Sequence, residues 1–154
     1  MFSNILVPLD GTPGATSALE AAAAIAAKFD ASVTLLLVAA SGEIALASLA
    51  EAFGAQGSVA ATVQREHTLE SLGAAYLESV REEAGHPEWD CVVADGEPAE
   101  VINTEARTRG SDLIVMASHA RSGIMRMLMG SVAETVIRHS GGVPVLVVHV
   151  EDED

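Results

Sequence analysis

The segment Asp112-Leu-Ile-Val-Met116, which runs on through Ala117-Ser-His-Ala120 to Gly130-Ser131, decides how this chain folds. After Asp112 the residues are continuously apolar rather than alternating, as in a parallel strand covered on both faces. Gly130-Ser131 then opens an amphipathic pattern from Val132 to His139. A strand, a loop and a helix start built from small residues suit an anion. The first N–H groups of the helix have no intrahelical partner, and the helix dipole favours negative charge there. Any ligand of this chain is expected at this point.

The same alternation extends in both directions. Asn4 to Leu9 reads as a strand, and Thr12-Pro13 as a helix start, with Thr as cap and Pro in the first turn. Leu19, Ala22, Ile25, Ala26 and Phe29 then share one helical face. Ser32 to Ala39 is a second apolar strand. Glu43 to Phe53 reads as a short helix broken at Gly54-Ala-Gln-Gly57, followed by a long helix through Val63, Leu69, Leu72, Tyr76, Val80 and Ala84. Trp89 to Ala94 is a third strand. Gly96-Glu-Pro98 starts a helix with Val101, Ile102 and Ala106 inward, and Gly110 ends it. Val143 to Val150 is the last strand, and Glu151 to Asp154 a solvated acidic tail. Five strands alternating with about four helices predict one doubly wound α/β domain over residues 2–150, with helices on both faces of a parallel sheet. In such a sheet a ligand lies beyond the carboxyl ends of the strands, where the strand order reverses.

Composition narrows the function classes. The 154 residues carry 22 acidic and 8 basic side chains, a net charge of -14, and Lys28 is the single lysine. Such a surface repels nucleic acid and anionic lipid. It also suggests a salt-rich cytoplasm, where screening shortens to about 3 Å at about 1 M salt. No apolar run approaches the ~20 residues of a membrane span, and Met1-Phe-Ser-Asn4 does not resemble a signal peptide. Cys91 is the only cysteine, within an apolar strand pattern, and reads as an inert thiol. His67, His86, His139 and His149 lack ligand spacing, so no metal site is expected.

Several chemical motifs are missing. There is no Gly-x4-Gly-Lys-Ser/Thr, no Gly-x-Gly-x2-Gly and no Gly-x-Ser-x-Gly, and no paired general acid and base emerges. The residues read singly leave alternatives open. Asp10, ahead of Gly11-Thr12, can accept hydrogen bonds from a ligand or cap the first helix. Gly130-Ser131 can hold phosphate or simply start a helix. His119 and Arg121 share the loop, with Arg121 expected in solvent. Met125, Met127 and Met129 are expected to pack against the neighbouring helix.

Three segments together, Ile5-Leu-Val-Pro-Leu-Asp10, Met116 to Val132 and Val143 to Val150, resemble the universal stress protein family over roughly residues 2–150. Its nucleotide-binding members carry Gly, two residues, Gly, nine residues, Gly, then Ser or Thr. On this chain those positions fall at Ala117, Ala120, Gly130 and Ser131, with the spacing intact and two glycines replaced by alanine. The resemblance implies a Rossmann-like sheet of order 3-2-1-4-5. It implies a site from Pro8, Asp10, Val38, Met116, Ala117, His119, Ala120, Gly130, Ser131 and Val132. Asp10 would take ribose or adenine and Val38 the base.

The implied ligand is ATP or AMP, with Mg accompanying ATP, bound more weakly than by members with all three glycines. The implied activity is a regulatory switch with at most slow hydrolysis, and the implied partner a second copy of the chain joined through Val143 to Val150. The alternative within the family is a homodimeric interaction protein that binds no nucleotide. An adenylating α/β enzyme would want a Ser-Gly-Gly-x-Asp-like loop, which Asp10-Gly-Thr-Pro13 does not supply.

Overall fold

The computed structural model describes residues 1–39, 65–119 and 130–150. The short helix expected over residues 43–53, its glycine break, Val63, Ala120, Arg121, the three loop methionines and the tail 151–154 lie outside them.

Five strands form one parallel sheet: β1 Asn4–Leu9, β2 Ser32–Ala39, β3 Asp90–Asp95, β4 Leu113–His119 and β5 Val145–Val150. Their order is β3-β2-β1-β4-β5, as the resemblance implied. Four helices join them among the described residues: α1 Ser17–Phe29, α2 Arg65–Ala84, α3 Pro98–Thr108 and α4 Ser131–His139.

Strand alternation sorts the side chains into two cores. Ile5, Val7, Leu9, Val33, Leu35, Leu37, Leu113 and Val115 pack with α1 and with Tyr76, Leu77 and Val80 of α2. Leu6, Leu36, Ile114 and Met116 pack with Ala99, Ile102 and Ala106 of α3 and with Ala133 and Val136 of α4. Both faces of β1 and β2 are therefore covered, which is why Ile5 to Leu9 and Leu35 to Val38 are apolar without interruption.

Local chemistry sets the helix ends. Pro13 leads a 3-10 turn, Pro13–Thr16, before α1 begins at Ser17. Thr12 does not cap that turn with its side chain; its hydroxyl donates instead to the Asp10 carboxylate, a stronger charge-assisted bond. α1 stops at Asp30, which adopts a left-handed φ of 55°, and the Ala31 N–H bonds back to the Ala26 carbonyl. Phe29, expected inward, is 39% exposed and rests edge-on against Phe2 at the end of the helix. α3 stops as expected at Gly110, φ +65°, with the Ser111 N–H bonded to the Ala106 carbonyl.

The seam between β1 and β4 differs from the seam between β1 and β2. β1 pairs with β2 from Asn4↔Ser32 through Pro8↔Leu36 to Leu9↔Leu37. With β4 it pairs at Ile5↔Leu113 and Leu6↔Ile114 only. Proline has no N–H to donate to a ladder, and buried Pro8 sits just beyond the last rung. The order reverses at this seam, so the sheet opens where a doubly wound fold places its ligand.

Candidate functional site

Beyond β1 the chain turns at Asp10-Gly11-Thr12. Asp10 is exposed, and its Oδ1 accepts the Thr12 N–H at 2.9 Å and the Thr12 hydroxyl at 2.6 Å. Gly11 has a φ of 84°, a conformation that side chains other than glycine disfavour. The turn holds the carboxylate at the mouth of the crevice. Of the two roles considered for Asp10, the bonds to Thr12 are those of the turn. Oδ1 shapes the turn.

Tyr76 of α2 lies buried in the core on the α1 side, and its phenol pKa is pushed up to about 12. Burial is the main cause; the negative charges of Asp10 and then Glu83 add to it. The field of the Asp10 carboxylate therefore reaches the interior beside the crevice.

On the other side of the crevice, β4 continues past the apolar run. Ala117, Ser118 and His119 pair with Val148, His149 and Val150 of β5. Ser118 is buried, and its Oγ accepts the Gly130 N–H at 3.0 Å. Gly130 caps α4 with φ -58° and ψ 151°, ordinary extended backbone. Among the described residues, a Cβ added there would meet Ser118 Oγ at 3.7 Å, an ordinary contact. Neither its conformation nor, among the described residues, its packing requires glycine at this position. What glycine does provide is a helix start with no side chain over the first-turn N–H groups.

The residues that the resemblance implied fall into groups. Val38, Met116 and Val132 converge on the core under α3 and α4. Ala117 points the other way: its methyl packs against the core on the α1 side, so alanine there is absorbed by packing rather than projecting towards the helix start. Asp10 and Gly130-Ser131 follow or face the ends of adjacent strands β1 and β4. His119 closes β4 opposite Val150. Ser118, which ties the two ends of the loop together, carried no signal of its own in the sequence, because its partner is 12 residues away.

Among the described residues no group of three or more His, Cys, Asp or Glu side chains could hold a metal ion, and no helix is long and apolar enough to cross a membrane. Burial raises the Cys91 thiol pKa, and this outweighs the opposing pull of Arg81.

A parallel sheet of this order, with its crevice between the first and fourth strands and a glycine-capped helix start beside it, is the frame of a Rossmann-like α/β protein. The universal stress protein family pattern matches residues 1–149. Universal stress protein YxiE of Bacillus subtilis is 31% identical over 150 residues, covering 96% of this chain and 99% of its own. The chain belongs to the universal stress protein family. Among solved structures, protein MJ0577 superposes with a TM-score of 0.71 at 26% identity, covering 99% of both chains. A universal stress protein in complex with cAMP superposes at 0.64 with 21% identity, covering 96% of this chain and 97% of that one.

Proposed function

We propose that this protein is a stress-response switch that binds an adenine nucleotide in the crevice between β1 and β4. In this reading the phosphates sit at the start of α4 on the N–H groups of Ser131 and Val132, helped by the Ser131 hydroxyl. Asp10 takes the ribose, and Val38 lines the base with Pro8 behind it. The observation that carries the reading is the α4 start, where Gly130 is the cap although neither its φ and ψ nor its neighbours among the described residues demand glycine. A cap without a side chain leaves room for an anion to approach the first-turn N–H groups. The related fold that holds cAMP supports the ligand class.

The ligand is ATP or AMP. Mg²⁺ enters with ATP, held by its phosphates, since the described residues form no metal site of their own. The chemistry is binding, with at most slow hydrolysis, in a cytoplasmic setting. Ala117 is compatible with this reading because its methyl is accommodated in the opposite core.

The same reading makes the protein a homodimer through β5. The two edges of the sheet differ. β3 carries exposed Asp90 and Asp95 at its ends, a charged device that discourages pairing. β5 runs Val145 to Val150 with Leu146 38% exposed and only His149 polar. An edge of that composition calls for a cover, and a second copy of the same strand supplies one.

The test is calorimetric titration of ATP and AMP into wild type, Ala120→Gly and Gly130→Val, with light scattering on the same samples. The reading requires Ala120→Gly to tighten binding and Gly130→Val to weaken it. Absence of binding at millimolar nucleotide would leave the homodimeric interaction protein as the better description. A stable monomer at micromolar concentration would remove the dimer.

A further inference from the structure

We propose that Ser118 is a positioning residue for the phosphate group, acting through Gly130 and not by touching the ligand; this rests on the nucleotide reading above. Alternation along β4 places Ser118 in the row of Ile114 and Met116, on the face covered by α3 and α4. It is the next member of that row, at the end of the strand where α4 begins. Only 3% of Ser118 is exposed, so its hydroxyl is not available as a ligand contact.

Its partner is the cap of α4. Ser118 Oγ accepts the Gly130 N–H at 3.0 Å, and the Gly130 carbonyl accepts the Glu134 N–H at 3.1 Å. The cap residue is thus tied on one side to the sheet and on the other to the helix. The next two N–H groups, those of Ser131 and Val132, are the donors an anion would use. The Ser131 N–H shares its peptide with the Gly130 carbonyl, which the Glu134 N–H holds, and the Gly130 N–H at the other side of the same residue is held to β4 by Ser118. Since β4 is paired with β1 at Leu113 and Ile114, the tie relates the phosphate donors to the strand that carries Asp10. A nucleotide spanning both ends needs that relation held constant, which is the advantage of a preorganised site.

The placement also explains a buried serine at the end of an otherwise apolar row. An alanine would fill the space, but it would leave the Gly130 N–H without its partner and the cap free to rotate.

The experiment compares wild type with Ser118→Ala and Ser118→Thr in three measurements: ATP affinity by calorimetry, hydrogen exchange at the Gly130 amide, and melting temperature. Ser118→Ala should bind ATP about tenfold more weakly, the scale of one hydrogen bond, and its Gly130 amide should exchange faster by about the same factor. Ser118→Thr keeps the hydroxyl and should restore both. If Ser118→Ala exchanges faster at Gly130 yet binds ATP like wild type, the bond is structural only and the proposal falls while the nucleotide reading stands. The proposal falls in the same way if Ser118→Thr and Ser118→Ala lose affinity equally along with a large drop in melting temperature. If wild type itself binds no nucleotide, both readings fall together.

Discussion

The helices α3 and α4 begin at the same end of the sheet, each after a parallel strand and each from an extended cap residue, yet their starts are finished differently. At α3, Gly96 (φ +139°) makes the turn, and a Cβ there would lie 2.8 Å from Val101 Cγ2. Glu97 is the cap, and its carboxylate accepts the Glu100 N–H at 2.9 Å. Pro98 fills the first helical position, where a missing N–H does no harm. The chain has supplied its own anion. At α4 the cap is Gly130, which brings no side chain, and the first helical residue is Ser131. The turn after β1 resembles α3 in this respect, since Asp10 occupies the Thr12 N–H. The α3 start is completed from within, whereas at α4 the cap residue brings no side-chain bond of its own.

The strongest attempt to erase that difference is Gly130→Asp. The backbone at φ -58° and ψ 151° accepts aspartate, and its carboxylate would bond to the first-turn N–H groups as Glu97 does at α3. We expect nucleotide affinity to fall by at least about a hundredfold, because the donors are taken and like charges meet. Stability should rise by about 0.3 kcal/mol, or roughly 1 °C in melting temperature. Unchanged affinity in calorimetry would mean that the open start of α4 is not the phosphate site.

The second test concerns the field in which both starts sit. A net charge of -14 lies outside the ~2–8 that suits a small domain, so self-repulsion opposes the compact state. The melting temperature should rise by several degrees from low to molar KCl. A flat response in a scanning calorimeter would show that the acidic surface is already well tolerated.

Removing the internal cap with Glu97→Ala should be smaller in effect and opposite in kind. It should cost about 1 kcal/mol of stability, roughly 2–4 °C, and leave nucleotide affinity within about twofold. A loss of affinity comparable to that of Gly130→Asp would break the distinction between the two starts.

The smallest effect reads the Asp10 turn. Tyr76 is the only tyrosine, so an ultraviolet titration reports it alone. Its midpoint should stand near 12 rather than the ordinary 10.0. The unfolded phenol loses its proton first, so stability should decline as pH rises from about 10 towards 12. Asp10→Asn should lower the midpoint while leaving it above the ordinary value, because burial is the larger cause. No movement in that variant would separate Tyr76 from the field of Asp10.

Much of the architecture was legible because buried parallel strands repeat no polar residue. Leu35-Leu-Leu-Val38 and Leu113-Ile-Val-Met116 could hardly be anything else in a chain of this length. The end of β4 was not legible. Ser118 and His119 have no apolar signature, and they belong to the strand because β5 pairs with them and Gly130 binds the serine hydroxyl, contacts made far away in sequence. Asn103 is a similar case: it occupies the buried face of α3 beside Ile102 although its type predicts solvent. In the site, the spacing from Ala117 to Gly130-Ser131 marked the position, but the direction of the Ala117 methyl needed the strand register. Likewise, that the Thr12 hydroxyl would serve Asp10 rather than its own helix depends on geometry the local sequence does not fix.

The crevice is also a lever. At its closed end the Asp112 carboxylate accepts the N–H groups of Ser3 at 2.8 Å and Asn4 at 3.0 Å, while the Asp112 N–H donates to the Asn4 carbonyl at 2.9 Å. Two rungs follow, and past Leu6 no further rung joins β1 to β4 among the described residues. The arrangement is that of a clothes-peg, with its spring at Asp112 and its jaws at Asp10 and Ala117. In a peg the gape is governed at the spring, and a slight change of angle there is magnified at the jaws. In the nucleotide reading, a guest at the jaws would be held through a hinge set at the far end of the sheet, by a carboxylate that it would never meet.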